Sequence, residues 1–281
     1  AELAQALAAL RIRWGSCITF NAADDERLIA LLARSGCRYL YVGLESFNPG
    51  TLRSMNKRQN AIQRTSAMIA RCHRHGILLD AGLMLSPRHD DPAYLRAIPR
   101  LLDESGLEVP SYICFETPIP GTPHFRKLAA AERPALLPGA LLRDFTTYTL
   151  VTQPAHLRAE EFVAAYRELL TQVFSRARRL RKLVHDAIRL VPRGGAFAWL
   201  VDCAAQCWNG YRPDPQRSYL AGTDRPPPEA ERVPFEPSDF RDEDEYRSIM
   251  QPWAVSDGSG RVLAHWLEAE PVHARRRALV A

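Results

Sequence analysis

Two short stretches of this chain carry residue types able to handle a ligand. The first is Tyr39-Leu40-Tyr41-Val42-Gly43-Leu44-Glu45-Ser46, followed by Leu52, Met55, Asn56 and Lys57. An apolar run ends in a glycine, a carboxylate and a hydroxyl, and in α/β proteins the C-terminal ends of strands are where ligands are held. A carboxylate there can accept hydrogen bonds from ribose hydroxyls, with Ser46 beside it, and such donors offset the cost of taking Glu45 out of water. The Lys57 ammonium can meet a ligand carboxylate at close range. A plainer reading stands with equal weight: Glu45 caps the next turn, shaped by Pro49 and Gly50, and Lys57 is a surface lysine at a helix entry.

The second stretch is Thr117-Pro118-Ile119-Pro120-Gly121-Thr122-Pro123. Its prolines and glycine exclude helix and central strand, which leaves a rigid loop at a strand's C-terminal end. Such a loop brings backbone close to a flat ligand and offers amides or carbonyls to an adenine edge, with Thr117, Pro118, Gly121 and Thr122 as the wall. The plainer reading is a stiff connection. Other groups carry less. Cys72, His73 and His75 lie at a helix end where histidines suit the dipole, with no fourth ligand at matching spacing. Cys203 and Cys207 read as small buried hydrophobes. No metal site is expected, and His89, next to Asp90 and the helix cap Asp91, is a weak substrate-facing candidate. No catalytic residue is assigned, since no nucleophile–base order and no phosphate loop is present.

The elements that must position these residues alternate. Apolar runs at Trp14–Phe20, Arg38–Leu44, Ile77–Leu85 and Pro110–Glu116 read as strands, and Asp24–Ser35, Asn60–His75 and Pro92–Glu104 as helices. Asp24 and Asp25 are expected caps, and Gly36, Gly76 and Gly106 expected helix stops. Strands alternating with helices of this length imply right-handed βαβ units and a parallel sheet, either doubly wound or part of a barrel. Residues 144–153 are a further strand candidate, and Ala159–Lys182 reads as one long helix closed by basic residues. A second apolar helix follows Gly194-Gly195 up to Trp208. The organisation expected is 1–145 as an α/β partial barrel, 146–210 as a helical extension, and 211–281 as a segment rich in proline and charge with a short hairpin at Ser256–Gly260.

With 46% hydrophobic and 25% charged residues the composition is that of a globular domain. No run reaches the ~18 apolar residues of a membrane helix, so no transmembrane segment is expected. The net charge of +5 is modest. Its densest cluster, Arg176 to Lys182, lacks interleaved aromatics, so a solvated helical face is expected and nucleic acid is not a partner. Six cysteines without secretory features suit a reducing cytoplasm. The start, Ala1–Trp14, reads as an amphipathic helix cut within its pattern.

The strand motifs together resemble the radical S-adenosylmethionine superfamily, over roughly residues 1–190. The matching residues are Trp14–Asn21 (WGSCITFN), Ser35–Ser46 (SGCRYLYVGLES), Leu52-x-x-Met55-Asn56-Lys57, His73–Leu79 (HRHGILL) and Thr117–Pro123 (TPIPGTP). The segment Asp144–Pro154 is similar to the subgroup that carries an N-terminal cobalamin-binding domain, which includes methyltransferases and a ring-forming cyclase. The resemblance implies strands three to six of a six-stranded partial (β/α) barrel. It also implies S-adenosylmethionine held by Glu45, Ser46, Lys57, Thr117, Pro118, Gly121 and Thr122, and a [4Fe-4S] cluster with ligands outside this chain. Where the N-terminal domain takes part, cobalamin joins them. The cofactors would supply radical chemistry, ending in methyl transfer or cyclisation on a small or lipid-like molecule, with a reductant protein as partner. The family's CxxxCxxC motif and Gly-Gly-Glu turn are absent and would lie before Ala1, so the chain as given is expected to be inactive. Ser86, followed by Pro87 and Arg88, stands where the family usually has glycine. The alternative expectation is a cluster-free paralogue that binds or scaffolds. An unrelated hydrolase on a similar fold is a third reading.

Overall fold

A computed structural model describes residues 2–55, 62–119, 122–129, 135–137, 140, 144–193, 213–214 and 217–221. Lys57, Gly121, Cys203, Cys207, the helix expected after Gly195 and the hairpin at 256–260 fall outside the described residues. Described elements run α1 (Glu2–Ala9), β1 (Trp14–Ile18), α2 (Phe20–Ala23), α3 (Glu26–Arg34), β2 (Cys37–Glu45), α4 (Pro49–Ser54) and α5 (Ile62–Arg74). They continue with β3 (Leu78–Leu85), α6 (Pro92–Ser105), β4 (Tyr112–Phe115), α7 (Pro123–Ala129), α8 (Ala159–Val173) and α9 (Arg176–Leu190). The chain forms two compact units, one of residues 1–114 with 164–215 and the other of 115–163 with 216–281.

The first unit is α/β. Among the described residues its sheet has four strands in the order β1-β2-β3-β4, with β1 parallel to β2 and β2 parallel to β3. The Ser111 amide, just before β4, donates to the Ala81 carbonyl of β3 at 2.9 Å. Each strand thus lies beside the next in sequence and the order never reverses. Right-handed crossovers that always step the same way keep the helices on one face. Accordingly α3 packs on β2, α5 on β3, and α5 sits between α3 and α6.

Alternation along β2 shows which face is which. Leu40, Val42 and Leu44 are buried beneath the helices, while Tyr39, Tyr41, Gly43 and Glu45 are half-buried on the opposite face. Asp25 caps α3 and Asp91 caps α6. Asp24, expected as an N-terminal cap, stands instead at the C-terminal end of α2 and binds Arg64 at 2.8 Å and Arg71 at 3.0 Å. Those guanidiniums, Arg64 above all, hold its carboxyl below the ordinary range. The three glycines expected at helix ends all take positive φ, 95° at Gly36, 71° at Gly76 and 79° at Gly106.

Two expectations fail. The helix expected over Ala159–Lys182 is two helices, because Ser175 leaves helical geometry and caps α9 by accepting from the Arg178 amide. The arginine cluster therefore begins a helix; Arg176 and Arg181 are exposed as expected, while Arg178 and Arg179 are partly buried and Lys182 is buried. Arg178 binds both oxygens of Asp103 and the backbone carbonyls of Pro99 and Glu108, so it ties α9 to α6 and to the loop that follows it. Lys182 is buried and bonded to Asp186 at 2.8 Å.

In the second unit, residues 144–153 make two isolated bridges, Leu136 to Thr152 and Leu150 to Leu220, rather than a strand. Arg217 ties this region down. It donates to the hydroxyls of Thr146 and Thr149 and stacks over the rings of Tyr148 and Tyr219.

Candidate functional site

The C-terminal edge of the first unit's sheet holds the candidate site. Beta-pairing shifts register between Gly43 and Glu45, and Glu45 takes φ +68°, a positive-φ conformation that costs energy in a residue with a Cβ. The Ser46 amide closes the turn by donating to the Leu44 carbonyl at 3.0 Å, a three-residue turn of the strained kind. The Glu45 carboxylate folds back over Gly43. A Cβ on Gly43 would lie 2.6 Å from Glu45 Oε1, so glycine there makes the room that this carboxylate uses.

A buried hydrogen-bond network holds the turn in place. Ser46 is 1% exposed; its hydroxyl bonds the Tyr94 hydroxyl at 2.9 Å and accepts from the Asn48 amide at 3.0 Å. Tyr94 Oη also accepts from the Phe47 amide, and burial raises its pKa, so it stays protonated. Asp90, fully buried, accepts from Asn48 Nδ2 at 2.8 Å, from Thr51 Oγ1 at 2.8 Å and from the Ser86 amide at 2.7 Å. The loops after β2 and β3 are thereby clasped to each other. Ser46 acts here as a brace for the turn that presents Glu45. His89 is exposed and lends its carbonyl to Asn48.

Below Glu45, Tyr41 of β2 and Tyr112 of β4 lean over the strand between them. Their hydroxyls are 2.5 Å apart and their rings stack at 6.1 Å, 24° from parallel. They meet above Gly82, where a Cβ would lie 2.5 Å from Tyr112 Cζ and 2.6 Å from Cε2. Gly82 pairs with Gly43 across β2 and β3. Burial raises both phenols, with the Glu45 charge a lesser cause. The carboxylate stands over Gly43 and the tyrosine rings over Gly82, the residue paired with it. Burial likewise pushes the Cys114 thiol up to about 12, with Glu45 a second cause.

The loop from Thr117 to Thr122 belongs to the second unit. Thr117 Oγ1 donates to the Phe115 carbonyl at 3.3 Å, and Pro118 is buried. Thr122 Oγ1 donates to the Ile119 carbonyl at 2.7 Å and accepts from the Phe125 amide at 3.2 Å, which starts α7. The structure thus brings Glu45 and Ser46 together in one turn and places Thr117, Pro118 and Thr122 in the other unit. Sequence reasoning missed Tyr41, Tyr112, Tyr94 and the bridging role of Asp90. A glycine inside the β3 run was the available signal, since strand glycines mark close approach.

Among the described residues no group of three or more His, Cys, Asp or Glu is placed to hold a metal ion. None of the described helices is long and apolar enough to cross a membrane. No protein-family model matches the chain. Over 182 residues, 65% of this chain, it is 26% identical to the bacteriochlorophyllide d C-12(1)-methyltransferase of Chlorobaculum tepidum. The match spans 39% of that relative's length. These findings correct the expected activity. The relative's name is that of a methyltransferase, and neither it nor the described side chains carry an iron–sulfur site or radical cleavage of S-adenosylmethionine.

Proposed function

We propose that this chain is part of a methyltransferase that takes its methyl group from S-adenosylmethionine and delivers it to a bacteriochlorophyllide or a closely related chlorin. The observation that carries the reading is Glu45, held at positive φ by a buried network at the ligand side of a parallel sheet. Strain of this kind persists where the surroundings over-determine it, and it gathers at binding sites. The relative named above supports the choice of methyl transfer and of a chlorin. S-Adenosylmethionine fits what the turn offers. Its ribose brings two vicinal hydroxyl donors, and the Glu45 carboxylate, folded over a glycine, has acceptor oxygens to offer them. The cofactor supplies an electrophilic methyl group when bound. The protein's part is to hold the ribose at Glu45 and keep Glu45 in place through Ser46, Tyr94 and Asp90. The reading rests on the first unit alone. Its sheet, sequential and ending in a β1 whose Gly15, Ser16 and Cys17 are exposed, is read as part of a partial (β/α) barrel.

The test uses the full-length protein, methyl-labelled S-adenosylmethionine and bacteriochlorophyllide d. Label in the pigment by mass spectrometry is the expected result, with Glu45→Gln weakening cofactor binding by about tenfold in calorimetry. A wild-type protein that neither binds S-adenosylmethionine nor labels the pigment would sink the reading.

A further inference from the structure

The Tyr41–Tyr112 pair lies on the sheet below the Glu45 turn, and the sheet is built around it. Two strands send a tyrosine over the strand between them, and that strand has glycine at the one position where any side chain would strike the rings. Both tyrosines remain half-exposed. Burying a phenol for packing alone calls for one buried ring and one partner for its hydroxyl. Here two hydroxyls are brought together instead, on the half-open face and beside a carboxylate.

We propose that the Tyr41–Tyr112 pair positions the acceptor substrate, stacking under a flat conjugated macrocycle and hydrogen-bonding a neutral carbonyl oxygen on its rim. This deepens, and rests on, the methyltransferase reading above. Three observations fix the chemistry. Rings laid over Gly82 rather than standing off the sheet offer a platform to a flat π-system. In a pair of hydroxyls one donates to the other, and a hydroxyl that already takes part in such a bond donates more strongly to a third oxygen. The Glu45 charge on the same face disfavours an anionic partner there, so a ketone is preferred over a carboxylate. Glu45 would then face the cofactor and the tyrosines the acceptor, on neighbouring positions of one surface.

The experiment titrates full-length protein with two pigments, bacteriochlorophyllide d bearing its ring ketone and the same pigment with that ketone reduced to an alcohol. Pigment binding is read by fluorescence and needs no turnover; S-adenosylmethionine binding is read separately by calorimetry. In Tyr41→Phe and Tyr112→Phe, which keep both rings, the Kd for the ketone pigment should rise about five- to tenfold, the size of one lost hydrogen bond. The Kd for S-adenosylmethionine should change less than about twofold. The alcohol pigment should lose little further in either variant. Variants that bind the ketone pigment like wild type overturn the inference, as does equal weakening of both pigments. Wild-type protein that binds pigment but not S-adenosylmethionine would defeat the methyl-donor reading and leave this outcome separately visible. If one phenylalanine variant fails to fold, the other decides the question.

Discussion

The two edges of the first unit's sheet use polar side chains for opposite purposes. At the N-terminal edge, α9 lies against the strand starts, and Leu78, Leu190, Tyr39, Leu183 and Val191 pack together. The polar groups there meet one another: Lys182 bonds Asp186, Ser111 Oγ donates to Asp80 at 2.6 Å, and Arg178 bonds both oxygens of Asp103. Burial raises the Asp80 pKa against the pull of Lys182. At the C-terminal edge the polar groups are spent on backbone. Asp90 and Ser46 hold amides of the strand-end loops, and what they hold is a residue in an unfavourable conformation. One edge closes the fold, and the other stores strain at a place a ligand can reach.

That contrast can be broken experimentally. The largest effect is expected from Asp186→Ala, which leaves Lys182 buried beside a missing partner and should cost about 3–5 kcal/mol in urea unfolding. Replacing both, as Lys182→Met with Asp186→Leu, should recover most of that loss and leave cofactor affinity unchanged, because the pair serves only the fold. Asp90→Ala should cost roughly 2–4 kcal/mol, since three donors lose a buried charged acceptor. Unlike the first pair it should also weaken cofactor binding, through the loosened Glu45 turn. Equal cofactor affinity in Asp90→Ala and wild type would erase the distinction between the edges.

Glu45→Gly tests the strain directly. Glycine accepts φ +68° without penalty, so stability should be unchanged or higher by up to about 1 kcal/mol while cofactor binding is lost. A clear destabilisation would show that Glu45 serves the fold. The smallest effect is with pH. Burial raises Cys37 to about 11 and Cys72 and Cys114 to about 12. These thiols are held neutral in the folded chain, so their contribution is whole below the ordinary thiol value and is lost as pH climbs from there toward 12. Urea midpoints should therefore be level between pH 7 and about 8.5 and fall above it, and a midpoint that rises with alkali would contradict the burial of these groups.

Local pattern made most of the sheet legible. Strand runs, the glycines ending helices and the Asp91 cap are set by residues close in sequence. Glu45 and Ser46 were legible as a strand-end pair for the same reason. The Tyr41–Tyr112 pair was not, because its members lie 71 residues apart and each reads alone as an ordinary strand aromatic. The role of Asp90 was hidden similarly, by partners some forty residues away. The break at Ser175 escaped because the amphipathic pattern runs through it, and the partners of Arg178 and Arg181, Asp103 and Glu108, lie far off in sequence.

The unreversed strand order also bears on how the chain is made. Each strand can add to the one already finished as it leaves the ribosome, so the sheet can grow in step with synthesis. The seal at its N-terminal edge cannot, since Asp103 waits 75 residues for Arg178. A nascent chain paused before Arg176 would display Tyr39 and Leu78 uncovered, and that interval is when a chaperone would find it.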